Sequence, residues 1–176
     1  AEEIIITVEP ETLPAFDPIG PLCQNSAAPE LPLTSVNGIT GTWNPASIST
    51  LAAGTFTFTF TPDAGQCATT ATLEVTIDEE VTPAFAQIGP LCQNSTAPLL
   101  PLTSDNGITG TADPATITTT PAGPITFTFT PDDPAQCGIP VDMVIVINEE
   151  ITPAFAQIGP LCQNSAAPEL PLTSVN

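Results

Sequence analysis

The chain has 176 residues, 19 of them Asp or Glu, and no Lys, Arg or His, so its formal charge near pH 7 is -19. Without a cation it cannot neutralise phosphates, which excludes nucleic-acid binding and electrostatic adsorption to anionic lipid. It also lacks the imidazole and amine that provide neutral-pH general bases, Schiff-base residues and nitrogen metal ligands. Pro at 22 positions opposes long helices, while 41% hydrophobic against 11% charged residues describes a chain that buries a core. The longest apolar run, Met143 to Ile147, falls far short of the ~20 residues of a membrane-spanning helix. The start, Ala1-Glu2-Glu3, has neither the basic end nor the apolar stretch of a signal peptide, as a mature secreted fragment also would not.

Internal repetition organises everything else. Gly20-Pro21-Leu22-Cys23-Gln24-Asn25-Ser26 returns at Gly89 to Ser95 and at Gly159 to Ser165, with spacings of 69 and 70 residues. Two full units follow, 11–80 and 81–150. Residues 1–10 match the last strand of a preceding unit, since Ile6-Thr7-Val8-Glu9 aligns with Val75-Thr76-Ile77-Asp78. Residues 151–176 match the first part of a further unit. The chain is expected to be a window on a longer tandem array.

In chain order, each unit opens on a proline-crowded segment, Pro14, Pro18, Pro21, Pro29 and Pro32 in the first, which suits an edge strand and extended stretches. Leu33 to Trp43 is expected to fold as a hairpin at Asn37-Gly38, residues that tolerate positive φ. Thr55 to Thr61 alternates strictly and places Phe56, Phe58 and Phe60 on one face; Thr126 to Thr130 is its counterpart. Pro62-Asp63-Ala64-Gly65 reads as a turn. Ala71 to Asp78 then points Leu73, Val75 and Ile77 inward. The fold class is all-β: tandem small Ig-like β-sandwich domains of six or seven short strands, with one disulfide per domain. Trp43 is expected to pack on that bridge, although its counterpart is Ala112. Val144 and Val146 replace Glu74 and Thr76, and Ile5 takes the matching place in the preceding unit. Outer faces of these last strands are therefore expected to be covered by an identical chain in a fibre or by an adjacent domain; the alternative is single exposed Val.

Two cysteines per unit predict the bridges Cys23–Cys67 and Cys92–Cys137, with Cys162 unpaired. Closing a ~44-residue loop constrains the unfolded chain by about 4 kcal/mol in the chain-entropy model. Buried free thiols are the alternative, and zinc lacks a paired-ligand spacing. Bridges imply an oxidising compartment, extracellular or cell-surface. The joints, Asp78-Glu79-Glu80-Val81-Thr82-Pro83 and Asn148-Glu149-Glu150-Ile151-Thr152-Pro153, contain no Gly or Ser and should be semi-rigid. Asp78, Glu79, Glu80, Glu149 and Glu150 are candidates to bind Ca²⁺ there, against the plainer reading of a solvated acidic joint; no other cofactor is expected. Asn94-Ser95-Thr96 matches a glycosylation sequon that the first unit lacks. No nucleophile motif, phosphate loop or poised carboxylate pair is present, so the chain reads as a non-enzyme with no catalytic residues.

The runs Pro83-Ala84-Phe85-Ala86-Gln87-Ile88-Gly89-Pro90-Leu91-Cys92, Asn37-Gly38-Ile39-Thr40-Gly41-Thr42-Trp43-Asn44-Pro45 and Phe58-Thr59-Phe60-Thr61-Pro62-Asp63-Ala64-Gly65-Gln66-Cys67-Ala68-Thr69-Thr70 carry a resemblance. They resemble the tandem Ig-like repeats of giant surface adhesins of gliding bacteria, of the gliding-motility type exported by the type IX secretion system. Ala112 and the longer turn Asp132-Asp133-Pro134-Ala135 depart from that pattern. The resemblance implies a structural stalk that spaces a distal binding tip from the cell, its partners being neighbouring repeats of the same chain. The alternative function is a ligand-binding module for glycans or a surface, acting through Thr-rich faces. A third is a self-assembling extracellular fibre of identical chains.

Overall fold

A computed structural model describes residues 8–174; the expected preceding strand at 1–10, with Ile5, lies almost wholly outside them. Two four-stranded sheets form, one in each full unit, with the same strand order. The first contains β1 (Leu22–Cys23), β2 (Gly41–Asn44), β3 (Gly54–Pro62) and β4 (Ala71–Asp78), arranged β1-β4-β3-β2. The second contains β5 (Leu91–Cys92), β6 (Gly110–Asp113), β7 (Gly123–Pro131) and β8 (Val141–Asn148), arranged β5-β8-β7-β6. The chain is all-β, as its alternating patterns require. Each sheet curls over a core whose other wall is the irregular proline-rich segment, an arrangement compatible with a β-sandwich. Fewer strands form than the six or seven expected, because Pro14, Pro18, Pro21, Pro29 and Pro32 interrupt any continuous ladder between residues 12 and 40.

The long hairpin is the framework. Phe56, Phe58 and Phe60 of β3 face Val75, Leu73 and Ala71 of β4 across the antiparallel ladder. Phe60 and Val75 are fully buried and Phe58 nearly so, while Phe56, at the strand's open end, stays 38% exposed. Full burial of such side chains stabilises the fold by about 1.5–3 kcal/mol each. Trp43 in β2 lies opposite Phe60. Its ring packs 4.7 Å from Phe16 and 5.1 Å from Phe60, and its Nε1–H donates to the Pro32 carbonyl at 2.8 Å. The expected packing of Trp43 on a disulfide is thus corrected: β2 is one edge of the sheet and the cysteine strand β1 is the other. In the second unit Ala112 takes the Trp place and Phe85 still packs edge-on against Phe129 at 4.7 Å.

The turn at Asn37-Gly38 forms as expected, with Gly38 at φ 85° and Ser35 N–H donating to Ile39 O at 2.8 Å. Asn37 does more than turn the chain. Its Oδ1 accepts from Ala15 N–H at 3.0 Å and from Ser35 Oγ at 2.8 Å, and its Nδ2 donates to Leu13 O at 3.0 Å. Asn106 repeats these bonds to Ala84, Ser104 and Thr82. Each Asn therefore ties the proline-rich wall to its unit. Residues 151–174 form no strand, and Phe155, Ile158, Leu161 and Leu170 are exposed there, whereas their equivalents Phe85, Ile88, Leu91 and Leu100 pack in a core.

Candidate functional site

The site is the joint between the two sheets. β1 runs parallel to the end of β4, with Cys23 beside Asp78 and Gln24 N–H donating to Asp78 O at 2.8 Å. Three residues further on, Val81 already belongs to the second unit: its N–H donates to Cys137 O at 2.8 Å and its carbonyl accepts from Ile139 N–H at 3.0 Å. Cys23 and Cys137 thus flank Glu79-Glu80 from the two sides. They are joined by a disulfide, with Cα atoms 5.2 Å apart and 114 residues between them in sequence. Cys137 has a left-handed backbone, φ 51°, and caps a 3-10 turn at Pro134–Gln136. That turn is the segment by which the second unit's loop is longer, and the Pro134 carbonyl oxygen lies 3.1 Å from Cys23 Sγ. A shallow groove of about 210 Å³ runs along the bond, lined by Gln24, Asn25, Glu80 and Ile139 among others.

The expected pairings Cys23–Cys67 and Cys92–Cys137 are corrected by this bond; Cys67 and Cys92 are free and exposed. The reason is geometric. Cys23 sits at the C-terminal end of β4, and Cys67 lies before its N-terminal end, bonded to Thr12. Gln66, next in the chain, holds Thr40 at that same far end. An eight-residue strand is about 25 Å long at ~3.3 Å per residue, and a disulfide requires Cα atoms within ~7 Å. Cys92, beside Asn148 at the end of β8, is separated from Cys137 in the same way. Two cysteines at opposite ends of one sheet cannot meet, but the last end of one unit and the first end of the next can.

The joint carboxylates lie apart in the solvent. Asp78, Glu79, Glu80, Glu149 and Glu150 are all exposed. Among the described residues no group of three or more His, Cys, Asp or Glu is gathered to hold a metal ion, so the five Ca²⁺ candidates are not brought together. Successive side chains on an extended joint point to opposite sides, which keeps neighbouring carboxylates apart. Glu150 is engaged instead with Asn94, whose Nδ2 donates to Oε2 at 2.7 Å, so the sequon nitrogen is part of the second joint. Val144 and Val146 are 46% and 42% exposed on the outer face of β8, so no adjacent domain among the described residues covers them. Among the described residues no helix is long and apolar enough to cross a membrane. No protein-family model and no curated protein matches the chain.

Sequence reasoning missed Asn37 and Asn106 as anchors and Pro134 as a neighbour of the bond. The recurrence of Ser-x-Asn-Gly at 35–38 and 104–107 was the available signal for the first.

Proposed function

We propose that the chain is a load-bearing stalk segment of a long cell-surface adhesin or extracellular fibre, a rod that spaces a distal binding tip from the cell. The observation that carries this reading is the Cys23–Cys137 bond. A joint made of Glu79-Glu80 alone, even without Gly, is a single strand of backbone. Adding a disulfide beside it gives two covalent connections between the units, which resist bending and share tension. The bond also fits an oxidising, extracellular setting. A charge of -19 with no cation keeps neighbouring rods apart. The absence of Lys and Arg leaves no site for trypsin-like proteases. The repeats resemble gliding-adhesin stalks in motif order.

Small-angle scattering of the chain, oxidised and then reduced and alkylated, tests the rod. The oxidised profile should fit one rigid elongated body for residues 8–150, and the reduced profile should require a hinged ensemble. A hinged ensemble before reduction would overturn the reading.

A further inference from the structure

The free cysteines Cys67 and Cys92 stand where Cys137 and Cys23 stand, one repeat away, and the surroundings match closely. Cys92 pairs with Asn148 at the end of β8 as Cys23 pairs with Asp78 at the end of β4. Ser95 and Ser26 hydroxyls each donate to the carbonyl of their cysteine at 2.6 Å. Cys67 and Cys137 share the left-handed backbone, φ 44° and 51°. The carbonyl of each accepts an N–H from the first segment of its unit, Thr12 or Val81, at 2.8 Å. Two things differ: the turn before Cys137 is one residue longer and forms the 3-10 turn, and Cys137, inside a joint, is 7% exposed whereas Cys67 is open to solvent.

We infer that Cys67 and Cys92 are cross-linking sites for neighbouring repeats of the same polypeptide. Cys92 bonds to the second cysteine of a complete following repeat, and Cys67 to the first cysteine of a complete preceding one. In each reaction two thiols lose two protons and two electrons to an oxidised small-molecule or protein disulfide, which is reduced to two thiols as the new S–S bond forms. The topology has a consequence that pairing within units would lack. The 114-residue separation exceeds the 69- to 70-residue repeat spacing, so successive disulfide loops overlap. Every peptide bond inside an array then lies within at least one loop, and a single backbone cut leaves the array in one piece. Loops confined to units would leave each joint hanging on one strand. This inference stands on the cysteine geometry and not on what the rod carries.

The test is the chain extended past Asn176 by a second copy of residues 38–80, which completes the third repeat, refolded with oxidised glutathione and mapped by non-tryptic digestion without reductant. The expected result is Cys23–Cys137 together with a bond from Cys92 to the cysteine of the added copy, with Cys67 and Cys162 left as thiols. Cys23–Cys137 serves as the internal sign of native folding. With that bond present, a free Cys92, a bond between Cys162 and the added cysteine, or an interchain dimer through Cys92 overturns the inference. Loss of Cys23–Cys137 itself overturns it as well.

Discussion

At the scale of single residues, the polar side chains that matter are those that replace missing ladders. Asn37 carries three bonds that no strand could make, because the segment it holds, Leu13 to Ala15, is interrupted by proline. Asn37→Ala leaves the Ala15 N–H and Leu13 carbonyl without these partners and should cost about 1–3 kcal/mol. Denaturant unfolding followed by Trp43 fluorescence reads this directly, since Trp43 is the only tryptophan and sits in the first unit. Asn106→Ala should leave that fluorescence transition nearly unmoved while lowering the unfolding of the second sheet seen by circular dichroism. Trp43→Ala should destabilise the first unit by about 3–5 kcal/mol, the usual range for emptying a buried aromatic site. The second unit shows that the strand order survives with Ala112 in that place.

At the scale of elements, the strands were legible and their partners were not. Strict Thr-Phe alternation over residues 55–61 specifies β3 and its buried face, because a period of two leaves no other choice of side. Asn-Gly at 37–38 specifies the turn for an equally local reason. What spacing could not reveal is that the two-residue strand β1 lies parallel to the far end of β4. That placement is set by where the proline-rich wall crosses the sheet, and it alone decides that Cys23 faces the next unit and not Cys67. The count of two cysteines per unit was informative; the assumption that a unit closes on itself was not. On the outer face of β8, Val144 and Val146 follow the β-propensity of a strand, and single exposed Val side chains are ordinary on a protein surface. Restoring the first unit's pattern with Val144→Glu and Val146→Thr should therefore shift stability by no more than about 0.5 kcal/mol per site. A loss of 3 kcal/mol or more in thermal or denaturant unfolding, or a change in association state by light scattering, would show that this face is buried after all.

At the scale of the whole molecule, the fold is held by apolar sheet faces, backbone ladders and one long-range covalent bond, with no side-chain cation to form an ion pair. All long-range side-chain electrostatics are repulsive, and screening them favours the compact state: the Debye length falls from about 30 Å at 0.01 M salt to about 10 Å at 0.1 M. The melting temperature should rise with NaCl over that range, and calorimetry at several ionic strengths checks it; a flat or falling dependence would contradict the charge argument. The central claim, that the two units are joined twice, is tested most directly by cutting one of the two connections. A Glu-specific protease cleaves the exposed joint at Glu79 or Glu80, and mass spectrometry without reductant then weighs the products. The account predicts that the fragments carrying Cys23 and Cys137 remain one species and separate only when reductant is added. Two separate species before reduction would contradict it.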